Sequence, residues 1–168
     1  MGHIYAIIEK IFLFFCGRRD MQEEKSQHEQ ITREFFGDDG YVKLSGIELV
    51  YLTEEKAVVR AEIKPHHLNA NGCVQGGMLF TVGDFAFAAL ANYLHPATVT
   101  QGGHITYMRP AYTSYVTATA REITRSGHNT VSEVVLTDDK DEVLCICQFN
   151  GFVKDVAFCD WTWQRKKK

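Results

Sequence analysis

The sequence predicts an α+β domain in which a curved antiparallel sheet wraps around one long central helix, and three observations predict it. Gly76 to Leu94 runs for 19 residues with apolar side chains on nearly every side (Met78, Leu79, Phe80, Val82, Phe85, Phe87, Leu90), and a helix that is apolar all round must be buried all round. Two strand-like runs precede it and four follow, with short connections that favour an antiparallel meander. The 168 residues are 45% hydrophobic and 23% charged, with 13 Gly and 3 Pro, enough apolar surface for one core and unlike disordered, collagen-like or multi-domain chains. One buried helix among about six strands has a single good packing solution, a sheet that curves around it.

Taken in order, the elements divide the chain into an N-terminal extension (1–40), the domain proper (41–154) and a C-terminal tail (155–168). Ile4 to Cys16 is apolar but interrupted by Glu9 and Lys10. It is too short to span a bilayer, and Arg18 and Arg19 follow it, the wrong order for a secretory signal, so no transmembrane segment and no membrane partner are expected. Met21 opens a polar stretch that looks like an ordinary protein start. Residues 1–20 therefore read as an extension from an upstream start or as an amphipathic helix docked on the body. Gln22 to Phe36 reads as a surface helix with Ile31, Phe35 and Phe36 as its stripe, and the run Gly37 to Gly40 breaks it. Tyr41 to Leu52 and Lys56 to Ile63 read as a hairpin across the turn at Thr53, Glu54 and Glu55, with Val59, Ala61 and Ile63 on one face of the second strand. After Pro65 comes a loop rich in Asn and Gly, then the central helix, ended by Pro96. Strands follow over Thr98–Arg109, Ser114–Thr124, Asn129–Thr137 and Glu142–Val153, with turns at Arg125 to His128 and Asp138 to Asp141.

Lys and Arg total 18 against 21 Asp and Glu, and four of the positives lie in Arg165 to Lys168. The rest of the chain is thus acidic, a poor electrostatic match for nucleic acid, and the basic tail reads as a solvated end. Cys16, Cys73, Cys145, Cys147 and Cys159 are odd in number and scattered, which fits a reducing, cytoplasmic location better than secretion. Cys145 and Cys147 lack a second pair at ligand spacing and read as small buried hydrophobes, and adjacent His66 and His67 point different ways; no metal site is expected.

Between Glu62 and Glu122 the one acidic residue is Asp84, inside the helix the pattern buries. Burying a carboxylate is costly unless something compensates. Asp84 is either paired with a neighbour such as Arg109 or capping a backbone group, or it is a general base or nucleophile tuned by an apolar site. Gly76 and Gly77 open the same helix. Bare glycines there leave N–H groups free for an anion or a developing oxyanion, or simply allow a tight turn. Gly77 and Asp84 are seven residues apart, about 10 Å along the helix axis. They act on one carbonyl only across a two-fold dimer, each site drawing one group from each chain.

Asn69-x-x-Gly72-x-x-Gln75-Gly76-Gly77, then Phe80 and Asp84-Phe-Ala-Phe-Ala, then Ile105-Thr-Tyr-Met-Arg-Pro-Ala111 resemble the signature of the hotdog-fold thioesterases of the PaaI-like type, in the 4-hydroxybenzoyl-CoA thioesterase superfamily. The resemblance covers roughly Tyr41 to Val153. It implies a homodimer with a continuous sheet, often paired into a tetramer, that hydrolyses acyl-CoA or a related thioester, with CoA arriving as part of the substrate and no metal or redox cofactor. By position, Asp84 matches the carboxylate that activates water or attacks the thioester. Gly77 matches the amide that polarises the carbonyl, and Asn69 the loop residue that positions the nucleophile or water. Thr100 falls where relatives hold the water. Tyr107 and the turn Arg125, Ser126, Gly127, His128, Asn129 and Thr130 match positions that contact the CoA nucleotide and pantetheine; Gly76 and Gln101 complete the substrate-binding set. The family's His before the two glycines is Gln75 here, an uncharged amide that does not titrate near neutral pH. Two other readings stand beside the enzyme: a non-catalytic acyl-CoA sensor, with Gln75 a sign of lost chemistry, and a hotdog dehydratase or hydratase, whose His and acidic arrangement is not visible. Gln22 to Phe36 offers a regulator no second helix and turn for DNA.

Overall fold

A computed structural model describes residues 27–157. The expectations for Ile4 to Cys16, Met21, Cys159 and Arg165 to Lys168 lie outside the described residues. Helix α1 (27–37) docks on the domain by its stripe: Phe36 is buried and meets Phe85 edge-on at 5.4 Å between ring centroids. Arg33 Nη1 also donates to the Leu49 carbonyl at 2.6 Å.

The expected strand from Tyr41 is instead a short helix α2 (Gly40–Leu44) followed by strand β1 (Ile47–Leu52). Asp39 decides this locally, because its carboxylate accepts from the Tyr41 and Val42 N–H groups and satisfies donors that a starting helix leaves free. Gly46 then turns the chain with φ +61, a conformation that glycine adopts without steric cost. Strand β2 (Ala57–Glu62) pairs antiparallel with β1, as the hairpin expectation required.

Helix α3 (Gly76–Leu94) has the predicted bounds. Strands β3 (Thr98–Tyr107), β4 (Tyr115–Ser126), β5 (Asn129–Thr137) and β6 (Val143–Val153) follow, and the sheet order is β1-β2-β4-β5-β6-β3. The meander is therefore confined to β4, β5 and β6. β3 crosses to the far edge and pairs with β6, because α3 carries the chain across the sheet before β3 begins. Alternating residues of β4, β5 and β6 (Val116, Ala118, Val134, Leu136, Cys145, Cys147, Phe149) are buried beneath α3, which contributes Val82, Phe87 and Leu90. Cys145 and Cys147 are thus core residues, as expected. Their mutual hydrogen bond, then burial, raises the Cys145 thiol pKa.

Among the described residues α3 is the one helix long and apolar enough to cross a membrane, and most of it is buried inside the protein. The expectation of burial all round is nevertheless too strong. Gly77 is exposed, and Phe80, Thr81, Asp84 and Ala88 are half-buried, so one stripe at helical spacing faces outward. It lies beside β3, where Thr100 to His104 are all exposed. Gly103 sits where a Cβ would lie 2.5 Å from Phe149 Cε1 and 2.9 Å from Phe80 Cζ, so the strand approaches the core closely only as glycine.

Candidate active site

The loop before α3 is fixed by its own backbone. Asn69 N–H donates to the Cys73 carbonyl at 2.8 Å, Val74 N–H to Ala111 at 2.9 Å and Gln75 N–H to His67 at 2.8 Å. Asn69 Oδ1 accepts from the Asn71 N–H at 2.8 Å, and its Nδ2 donates to Cys73 Sγ at 3.1 Å. Gln75 is the N-cap of α3. Its Oε1 accepts from the Gly77 N–H in a short contact and from the Met78 N–H at 3.2 Å. The Gly77 N–H is therefore not free, contrary to the expectation for bare glycines, because the residue before the pair reaches round and caps it. Tyr107 Oη donates to the Gly76 carbonyl at 2.9 Å.

Asp84 lies two turns further along the outward stripe. It does not pair with Arg109, whose guanidinium instead meets Asp138 at 2.9 Å and Glu142 in a shorter contact. Asp84 Oδ1 accepts from Thr100 Oγ1 at 2.8 Å. Burial raises the Asp84 pKa above the ordinary carboxylate range, and the Thr100 hydrogen bond partly opposes it. Among the described residues the carboxylate is thus desolvated, singly hydrogen-bonded and without a cation, which is how a basic carboxylate is made.

The predicted residues fall into four groups. Asn69, Gly76 and Tyr107 line a cleft of about 430 Å³ on one side of the α3 N-terminus. Gln75 and Gly77 line another of about 590 Å³, with His67, Met78 and Thr81. Asp84 and Thr100 stand together at mid-helix, with Gln101 exposed at the register shift that follows Thr100. Within one chain Gly77 and Asp84 stay about 10 Å apart along the axis. The fourth group, Arg125 to Thr130, is at the opposite end of α3. Ser126, Gly127, His128 and Asn129 are exposed there, and His128 stacks on Phe152. Thr130 differs from the set expected to face a ligand: it is fully buried, and its hydroxyl donates to Glu122.

Sequence reading missed His95 and Glu122, and weighed His67 only as a metal ligand. His67 Nδ1 accepts from the Lys64 N–H at 3.1 Å, its buried Nε2 has no hydrogen-bond partner among the described residues, and burial, then neighbouring His66, lowers its pKa. His95 caps the end of α3, and its Nε2 is 2.6 Å from Glu122 Oε1. The signal for Glu122 was its inward position in a strand, legible only once the register across the β4 bulge is known.

The family model described as the thioesterase superfamily matches residues 71–145. A protein of Archaeoglobus fulgidus, an esterase by name, is 30% identical over 100 residues, which are 59% of this chain and 62% of that protein; the match thus spans less than two thirds of that relative. Acyl-coenzyme A thioesterase PaaI of Escherichia coli K12 is 24% identical over 118 residues, 70% of this chain and 84% of that one. The solved structure of the E. coli PaaI protein of the phenylacetic acid degradation operon superposes with a TM-score of 0.74, covering 79% of this chain and 97% of that one at 22% identity. The folds are the same.

Proposed function

Since the chain is a hotdog-fold, PaaI-like member of the thioesterase superfamily, we propose that it hydrolyses an acyl-CoA thioester to a carboxylic acid and CoA. The observation that carries this reading is Asp84: a desolvated carboxylate held by Thr100 on the outward stripe of an otherwise buried helix. In the proposed reaction Asp84 takes a proton from a water held by Thr100, and the water oxygen attacks the thioester carbon. The oxyanion forms against the Gly77 N–H, the C–S bond breaks, and the CoA thiolate leaves with the electron pair. Asn69 orients the incoming carbonyl or water. No cofactor is required. The 10 Å gap closes in a homodimer, or a dimer of dimers, in which Gly77 of one chain faces Asp84 of the other; the exposed stripe of α3 and the exposed edge strand β3 supply the surface. The unit that acts is 41–154, and buried Cys73, Cys145 and Cys147, none in a disulfide, fit a cytoplasmic setting.

In the free protein Gln75 Oε1 occupies the hydrogen-bonding site that the thioester oxygen needs. Substrate displaces it, and the freed amide then presents N–H donors where the family has His. The same contact favours a second reading, an acyl-CoA sensor whose oxyanion site stays closed. Thiol release from short, medium, long and aromatic acyl-CoAs, with calorimetric CoA binding alongside, separates the two. Turnover above background that disappears in Asp84→Asn establishes the enzyme and its acyl class. Binding without turnover across the panel makes the protein a sensor.

A further inference from the structure

At the C-terminal end of α3, four side chains outside the proposed chemistry form one hydrogen-bonded chain. Arg125 Nη1 lies 3.1 Å from His95 Nδ1, His95 Nε2 lies 2.6 Å from Glu122 Oε1, and Thr130 donates to the same oxygen. A guanidinium only donates, so Nδ1 accepts and the ring proton sits on Nε2, facing Glu122. The network thereby assigns His95 as a neutral imidazole, polarised by a carboxylate on one side and holding an arginine on the other. His95 and Thr130 are buried, whereas Arg125 is exposed.

We propose that His95 and Glu122 are positioning residues that hold Arg125 at the surface to receive a phosphate of the substrate's CoA moiety; the inference rests on the thioesterase reading above. A direct Arg–Glu pair would fix the guanidinium but also neutralise it. With a neutral ring between them, Arg125 is oriented while its charge remains available, and no carboxylate pairs with it among the described residues. Its other hydrogen bond among the described residues runs from Nε to the Gly127 carbonyl at 3.4 Å, which leaves Nη2 for the planar, forked recognition that phosphate favours. Its position suits a long ligand. Thr100 pairs with Gly151, Gly151 with Thr130 and Thr130 with Arg125. Three strand spacings of about 4.8 Å set Arg125 about 14 Å from the Asp84–Thr100 pair along one row of the sheet. That separation is within the reach of a pantetheine arm passing over the surface, since Gly151 and Thr130 in the row between are buried.

The test pairs each acyl-CoA that the enzyme accepts with the same acyl group on N-acetylcysteamine, which lacks the nucleotide, and adds calorimetric titration with CoA and with pantetheine. In His95→Ala and Arg125→Ala, KM for acyl-CoA and Kd for CoA rise about tenfold, equivalent to about 1.4 kcal/mol. The kcat value, the N-acetylcysteamine kinetics and pantetheine binding stay at wild-type levels. His95→Gln, whose amide offers an acceptor and a donor, restores most of the loss. Equal losses on both thioesters, or a CoA affinity that Arg125→Ala leaves unchanged, overturn the proposal. A wild type that binds CoA through Arg125 but hydrolyses neither thioester defeats the thioesterase reading and leaves the positioning role standing.

Discussion

Replacing Asp84 by Asn should make the protein a worse catalyst and a more stable fold. The change removes a charge and little else, because Thr100 Oγ1, 2.8 Å from Asp84 Oδ1, can donate to an amide oxygen as well. Loss of a positioned general base costs about 10²–10⁴-fold in rate, or about 3–5 kcal/mol of transition-state stabilisation at about 1.36 kcal/mol per decade. Stability moves the other way. Burial raises the Asp84 pKa above its ordinary 3.8, so the folded state holds this proton more tightly than the unfolded chain. The stabilisation from the protonated form is full at low pH and is lost as pH rises through the raised folded value. At neutral pH the ionised carboxylate opposes folding, and Asn removes that opposition. Urea unfolding at pH 4 to 8 and one fixed protein concentration should show Asp84→Asn more stable at pH 7, with the gap closing toward acid. Thiol release on the same samples gives the rate. A loss of less than about tenfold in kcat/KM refutes the general base, and an Asn variant less stable at pH 7 refutes the desolvation argument. The acid limb of wild-type kcat/KM should also lie above the ordinary carboxylate range.

Hybrid dimers of Asp84→Asn and Gly77→Pro chains should regain activity, since one of the two shared sites keeps both groups; verified hybrids without recovery would place both groups in one chain's site. Gln75→Ala removes the cap on the Gly77 and Met78 N–H groups and should cost about 1 kcal/mol, a fall in Tm of about 2–4 °C for a chain of this size. An unchanged Tm would show that the cap contributes nothing. Gly103→Ala drives a methyl to 2.5 Å from Phe149 and 2.9 Å from Phe80, and overpacking of this kind costs about 1–3 kcal/mol; full retention of stability in urea would mean that the two rings part freely.

What was legible in the sequence was local. The apolar run from Gly76 and the Pro96 stop marked the bounds of α3, and the alternation of Val59 and Ala61 with Arg60 and Glu62 marked the buried face of β2, because those patterns record burial against whatever covers them. Asp84 stood out for the same reason, as a charge in an apolar run. Thr100 came only with the family resemblance, and its contact with Asp84 spans 16 residues. Tertiary structure alone decided that β3 leaves the meander for the far edge, that one stripe of α3 is left uncovered, and that His95, Glu122 and Arg125 meet across separations of 27 and 30 residues. Gln75 is the instructive exception. Its cap on Gly77 is only two residues long, yet it went unread, since Gln is a poor N-cap by propensity and only the backbone geometry at the start of α3 brings its amide back onto the glycine. Periodicity specifies which side of an element is buried; strand order and side-chain reach, which depend on the whole chain's packing, specify what meets there.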